Sequence, residues 1–368
     1  PTGIAGEAML RAETPQEQFN LIGAGRRRIN INGDMRIAQR STSVTGLGSQ
    51  DGYFTIDRYK LDFGGTNGRL TMSQSTDAPN GFGNSLKLEC TTADTSIGSS
   101  EKGRIICDLE GQDLQSIAKG TPDAHNIAVS FYVKGNDAAT YAFEIFDTDN
   151  SRQCSKLFNV TSEWTRVVLI FPPDTTGKLT NDNNTSLQLS FHFHAGSAFT
   201  SGAINSDGFA ANNNANRLKG INSFFDSTDR TLQITGFQVE LGKVATPFEY
   251  RSYGEELAAC QRYTYVIDGP AGGDRVGQAF ISAARTAIVN INFPVVMRAK
   301  PTLEGTASPV TINDNTTADN STSIALNGAN KQYATLTVTT GSDMNTYRGA
   351  QAYFTSTADN KIIFKAEL

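Results

Sequence analysis

The side chains from which chemistry would have to come are 3 histidines, a single tryptophan and 37 acidic residues. His192 and His194 stand two apart in Leu187-Gln188-Leu189-Ser190-Phe191-His192-Phe193-His194. In an extended segment both imidazoles leave the same side, opposite Phe191 and Phe193. Two imidazoles so placed can share a metal. No Cys or carboxylate follows at ligand spacing and His125 is remote, so an ordinary solvent-facing or subunit-interface pair is expected. At an interface, protonation near pH ~6 would tune association. Asp147-Thr148-Asp149-Asn150-Ser151 opens like an acidic calcium loop. Its sixth place needs Gly and holds Arg152, and its twelfth needs Glu and holds Phe158, which excludes an EF-hand. Asp57-Arg58 reads as an ion pair or a turn cap.

G-x-S-x-G, H-E-x-x-H, a P-loop and a dinucleotide fingerprint are all absent, so triad, zincin and nucleotide chemistry lack a sequence basis. Glycan cleavage needs two carboxylates about 5 to 10 Å apart, a pairing that the acid content leaves open. A polymer-cradling solenoid would show a repeat period, and none is present. A non-enzymatic chain is expected, with a glycan-degrading depolymerase as an alternative. Trp164 could stack on a sugar ring, but its place at the start of the apolar run Val167–Phe171 favours core packing. Tyr53, Tyr59, Tyr132 and Tyr141 are the other stacking residues, and Tyr132 has the parity opposite to Phe131, away from the core.

These residues must be positioned by an all-β framework. The 368 residues suffice for two or three domains. Ser, Thr, Asn and Gly make up 130 of them, the composition of turns and hydroxyl-faced strands. Large residues recur at every second place in Ile127–Val133, Val167–Phe171, Leu187–Phe193 and Thr231–Glu240, and again in Ala287–Phe293, Tyr333–Thr339 and Lys361–Leu368. Polar connections such as Gly64–Gly68, Ser75–Asn84 and Thr180–Thr185 join them as turns, with no crossover helix. Asn205–Arg217 reads as a surface loop or interaction tip. One or two helical turns are expected at Gly111–Ala118 and, with acidic residues first and Arg262 last, a helix at Tyr253–Tyr263. Cys90, Cys107, Cys154 and Cys260 form no C-x-x-C and read as buried free thiols.

The resulting organisation is a docking arm over 1–28, a first β domain over 29–251, a helical joint over 252–263 and a second, smaller β-sandwich over 264–368. The arm shows neither alternation nor a helical stripe. A net charge of −5 and no basic run beyond Arg26-Arg27-Arg28 argue against nucleic acid as a partner. No run of eighteen apolar residues or signal-like segment occurs, so neither membrane insertion nor export is indicated. Synthesis in a cytosol is expected, and the start at Pro1 would fit removal of an initiator Met.

The first domain resembles the jelly-roll sandwich of carbohydrate-binding modules. The similarity is carried by Ile29-Asn30-Ile31-Asn32-Gly33-Asp34, Asn84–Leu88, Val129–Lys134, Glu163-Trp164-Thr165-Arg166-Val167 and Ile234–Gly242. The succession Asn30–Arg40, Thr55–Tyr59, Val239–Arg251, Tyr253–Leu257 and Cys260–Tyr263, followed by Phe293–Thr302, resembles bacteriophage tail-fibre and other virion-associated proteins. The resemblance implies a structural virion protein synthesised in the host bacterial cytoplasm, homo-oligomeric with a trimer favoured. It would be a tail fibre or tail-attached adhesin touching host-surface glycan, or alternatively a capsid-surface decoration protein. Residues 1–28 would dock on other virion proteins. Jelly-roll modules also suggest structural calcium, with Asp34 and Glu240 as its places in this chain; no other cofactor is expected.

Overall fold

The computed structural model describes residues 3–12, 18, 27–269, 273–305, 309–355 and 360–368. The chain divides into two units, Pro1–Arg251 and Ser252–Leu368. The strands of the first are β1 (Ser43–Leu47), β2 (Gly52–Tyr53), β3 (Lys60–Gly64), β4 (Arg69–Ser75), β5 (Ser85–Thr92), β6 (Lys102–Glu110), β7 (Ile127–Gly135), β8 (Ala139–Asp147), β9 (Arg152–Val160), β10 (Thr165–Phe171), β11 (Thr185–Ala195), β12 (Ala210–Ala211) and β13 (Thr231–Leu241). They form a six-stranded sheet, β1-β4-β5-β13-β7-β10, and a seven-stranded sheet, β12-β9-β8-β11-β6-β3-β2. Chain neighbours such as β6 and β7, β7 and β8, or β10 and β11 lie in different sheets, which is the crossing pattern of a jelly roll.

The period-two pattern is what sorts the two faces. On β7, Val129, Phe131 and Val133 are fully buried, while Tyr132 and Lys134 lie on the other side. Between the sheets Phe191 sits edge-on to Phe131, Phe143 and Phe237, with ring centroids 5.0, 4.8 and 5.1 Å apart. Cys90, Cys107 and Cys154 join this core as free thiols, and burial pushes Cys90 and Cys154 up to about 11.

Ile29–Asp34 adds no strand to either sheet. Its amide side chains stand in for ladder bonds beside a bulge in β13, where Gly236 takes φ +61°. The Asn30 Nδ2 donates to the Phe237 carbonyl at 2.8 Å and its Oδ1 accepts from the Val239 N–H at 2.9 Å. Asn32 Nδ2 donates to the carbonyls of Ile37 and Asp57, both at 2.9 Å. Asp57 accepts from the Gln39 N–H at 3.0 Å and Arg58 donates to the Asp108 carbonyl at 2.6 Å.

One further expectation changes. Within the arm, Ile4–Arg11 is helical, because Ala, Glu, Met, Leu and Arg are good helix formers and Glu7 pairs with Arg11 one turn on. Most of the remaining arm lies outside the described residues, and with it the docking role assigned to 1–28. Gly111–Ala118 forms two short 3-10 turns, Gly111–Asp113 and Gln115–Ile117. Of the two alternatives for Asn205–Arg217, the surface loop is the one observed. It belongs to an excursion between β11 and β13 that packs against the seven-stranded sheet, with Asn205 Nδ2 donating to the Gln153 carbonyl at 2.8 Å.

The second unit opens with the helix Tyr253–Gln261, whose Ser252 and Glu255 form a capping box. Its strands are β14 (Thr264–Gly269), β15 (Arg275–Ala283), β16 (Thr286–Asn292), β17 (Thr302–Leu303), β18 (Val310–Asn313), β19 (Ala318–Ala329), β20 (Tyr333–Thr340), β21 (Gly349–Phe354) and β22 (Asn360–Lys365). This smaller all-β body closes as a barrel, β15-β16-β20-β19-β18-β21, beside a three-stranded sheet, β14-β22-β17. Closure follows from β21 pairing with both β15 and β18, and it removes free edges. Ala279, Ala287, Ala334, Ala350 and Ala352 keep the lumen small enough for Ile281, Val289, Leu336 and Val338 to fill. Among the described residues no helix is long and apolar enough to cross a membrane.

Phe191→Ala removes the ring shared by four aromatic neighbours and should cost the first unit about 3–5 kcal/mol, read as a lower denaturant midpoint.

Candidate functional site

With the inner faces consumed by the core, the groups able to meet a ligand lie on the outer faces. On the six-stranded sheet, Tyr132 of β7 packs beside Phe82, with centroids 5.4 Å apart. Phe82 in turn meets Phe248 at 5.1 Å and Tyr250 at 5.6 Å. Gly236 makes this possible: a Cβ there would come within 2.7 Å of the Phe82 ring and 3.0 Å of Tyr132. Phe248 and Tyr250 are carried by residues 242–251, which fold back over β13. Glu249 N–H donates to Gln238 Oε1 at 2.7 Å, and the Arg28 guanidinium lies 4.9 Å above the Phe248 ring. Tyr250 is 54% exposed and is fixed by its hydroxyl, which donates to the Gly81 carbonyl at 3.0 Å.

Trp164 belongs to the same face. Val167, Leu169 and Phe171 point inward from β10, so Trp164, of opposite parity, points outward. The expectation of core packing is therefore corrected: the indole is half-buried and its Nε1–H donates to Asp77 Oδ1 at 3.1 Å. Lys134, two residues beyond Tyr132 on β7, binds the same carboxylate at 2.9 Å and lies 6.0 Å from the indole centroid. Hydrogen bonds from Lys134 and then Trp164 hold the Asp77 carboxyl below the usual carboxylate range. Because Arg166 pairs with Tyr132 and Thr165 with Val133, Trp164 falls diagonally across from Tyr132, about 7–8 Å away along the sheet. The result is a ledge of aromatic rings, Trp164, Tyr132, Phe82 and Tyr250, with a fixed anion and cation at one end.

The other tyrosines are elsewhere. Tyr59 is wholly buried, edge-on to Phe237 at 6.3 Å, and so cannot stack on a ligand. Tyr141 is likewise in the core. Tyr53 lies at the edge of the seven-stranded sheet under the Arg40 guanidinium, 5.4 Å from its centroid. Phe82, Phe248, Tyr250, Asp77 and Lys134 are the members that sequence reasoning missed. Lys134 shared the outward parity of Tyr132, but Phe82, Phe248 and Tyr250 sit in connections, where no periodicity marks the face.

Residues 196–226 pack over the outer face of β8, β9 and β11. His192 and His194 do share one side, opposite the phenylalanines, yet they are buried beneath this excursion and do not form a solvent-facing or interface pair. His192 Nε2 lies 3.1 Å from Glu144, and Arg217 reaches the same carboxylate at 2.8 and 2.5 Å. His194 Nε2 lies 3.1 Å from Glu101 and its Nδ1 2.8 Å from the Ser223 hydroxyl. Further along, Asp62 binds Lys102 and Arg104, while Lys119 bridges Asp147 and Asp174. The two residues named for calcium are apart in role: Asp34 pairs with Arg36, and Glu240 accepts from Gln238 at 2.9 Å and Thr246 at 2.8 and 2.7 Å. Among the described residues no three His, Cys, Asp or Glu side chains gather as metal ligands.

No protein-family profile and no curated protein matches the chain. Solved structures similar to it include a family 11 carbohydrate-binding module from Clostridium thermocellum in complex with a beta-1,3-1,4-mixed-linked tetrasaccharide. It is 12% identical over 57% of this chain and 99% of that one, with a TM-score of 0.28. A xylan-binding domain from Paenibacillus barcinonensis is 14% identical over 55% of this chain and 94% of its own, with a TM-score of 0.26. The N-terminal cellulose-binding domain of a Cellulomonas fimi beta-1,4-glucanase is 12% identical over 57% and 100%, with a TM-score of 0.25.

Burial brings His192 down from 6.5 to about 4, against the opposing pull of Glu144 and with Arg104 and Arg217 acting in the same sense. The unfolded chain therefore takes up a proton that the folded chain refuses. Stability should be complete above pH 6.5 and fall by about 3 kcal/mol as the pH drops towards 4. Burial raises Glu144, but Arg217 and His192 outweigh it and hold the group far below its usual range, which adds a further loss below pH 4.5. Denaturant midpoints for wild type and His192→Gln between pH 7 and pH 4 should show the upper part of the slope removed in the variant.

Proposed function

We propose that the first unit binds glycan through the ledge formed by Trp164, Tyr132, Phe82 and Tyr250. The observation that carries this reading is the indole of Trp164, half-buried and held in one orientation by Asp77, beside Tyr132 on an outer sheet face. A pyranose ring presents flat C–H faces to aromatic rings and hydroxyls to neighbouring ions, and the ledge offers both with little rotamer freedom to lose. Asp77 and Lys134 already satisfy each other, so they can exchange bonds with hydroxyls without exposing an unpaired charge.

The wider role proposed is a non-enzymatic virion protein of a bacteriophage, a tail fibre or tail-attached adhesin, acting as a homo-oligomer with a trimer favoured. The ordered segments from Asn30 to Thr302 that resemble such proteins support it. Linked copies would raise a weak contact by about 10²–10⁴-fold. A structural rather than catalytic role is supported by the buried carboxylates Glu144, Asp62, Asp147 and Asp174, each engaged by a cation.

On a glycan array followed by calorimetry, the wild-type chain should bind at least one saccharide. Trp164→Ala and Tyr132→Ala should each weaken it about tenfold with an unchanged melting temperature. Binding indifferent to both substitutions would remove the ledge from consideration. Electron cryo-microscopy of particles should place the chain on the tail; density on the capsid shell would make it a decoration protein instead.

A further inference from the structure

The second unit carries a cleft of about 280 Å³ on the outside of its barrel, lined by Gln278, Asn313, Asp314, Asn315, Gly349 and Gln351 among others. We propose that this cleft is a second saccharide site, taking a short neutral glycan independently of the first-unit ledge. The proposal shares its ligand class with the reading above but rests on different residues.

Register places the amides in a row. Gln278 of β15 is paired with Gln351 of β21, and Gln351 is paired with Asn313 of β18, so the three side chains leave the same face on adjacent strands. Each amide is uncharged and brings two N–H donors, while the Asn313 oxygen already accepts from the Asn315 N–H at 2.7 Å. Arg275 donates to the Gln351 Oε1, which fixes that amide's orientation.

The acid in the lining is occupied internally. Asp314 accepts from the Thr316 and Thr317 N–H groups at 2.9 and 2.6 Å, from the Thr316 hydroxyl at 2.8 Å and from Asn345 Nδ2 at 2.9 Å. These bonds hold the Asp314 carboxyl far below the usual carboxylate range and rigidify the 313–317 turn that walls the cleft. Asp314 is thus an anion whose oxygens are engaged within the turn, Arg348 reaches the Thr316 hydroxyl at 3.2 Å, and the amide row is the uncharged part of the surface that faces a ligand.

A stacking wall lies beside it. Phe280 is two residues from Gln278 on β15, hence on the same face, and is 46% exposed. Its register partner on β21 is Gly349, where an added Cβ would meet nothing within 4 Å, so no β21 side chain covers the ring; on β16 its partner is Ile288. The volume is near the lower limit of about 300–1,000 Å³ for small-molecule sites, which suits one or two pyranose rings and not a long polymer.

The test uses the full chain carrying Trp164→Ala and Tyr132→Ala, so that the ledge is disabled. Methyl β-D-glucopyranoside, methyl β-D-galactopyranoside, methyl α-D-mannopyranoside and methyl N-acetyl-β-D-glucosaminide are titrated by saturation-transfer NMR and calorimetry. At least one should still bind, and Phe280→Ala or Gln351→Ala should weaken it about tenfold while the melting temperature holds. Asn345→Ala, which frees the 313–317 turn without touching the amide row, should weaken it less. No binding in the ledge-disabled chain, or binding unmoved by Phe280→Ala, Gln278→Ala and Gln351→Ala, would overturn the second site. Either result leaves the first-unit reading intact, since that reading is judged by Trp164 and Tyr132 in the otherwise native chain.

Discussion

Removal of one face of each strand from water is the constraint on which both units depend. At about 25 cal/mol per Å² of apolar surface, the interlocked rings of Phe131, Phe143, Phe191 and Phe237 contribute more than any polar contact in the first unit. That commitment fixes where function can sit. A sandwich whose inner residues are spent on each other offers only its outer faces and its connections, so recognition has to be built from side chains of the opposite parity and from loops folded back over them.

The two outer faces of the first unit are used differently. On the seven-stranded sheet, residues 196–226 lie over Glu144 and His192, and Arg217 of that segment pairs with Glu144. Burying charges is costly unless they are paired, and a misplaced excursion would leave Glu144 without Arg217, so the network penalises wrong packings more than it stabilises the right one. On the six-stranded sheet, residues 242–251 cover only part of the face. Glu240 and Gln238 hold that segment through Thr246 and Glu249, and what remains open is the aromatic ledge.

Much of this was legible in the chain. Alternation at Ile127–Val133 and Leu187–Phe193 placed Phe131, Phe191 and Phe193 inside and Tyr132, His192 and His194 outside the core. The capped helix at Tyr253–Gln261 and the buried thiols were equally plain. Periodicity says which side a residue leaves, however, not what covers that side. Both histidines left as expected, yet one loop turned a presumed surface into an interior. Tyr59 failed as a stacking residue because its segment precedes β3 and carries no alternation from which burial could be judged.

The sequence by itself determined the strand content, the inward and outward parity of most side chains and the place where one unit gives way to the next. These are local properties of a repeating two-residue pattern. Only the tertiary structure decided that Trp164 shares a face with Phe82 and Tyr250, that residues 196–226 lie on the histidines, and that the last strands close into a barrel. Each of those depends on register and on chain segments far apart in sequence meeting in space, and such pairings are set by the packing of the whole unit and not by any residue's neighbours along the chain.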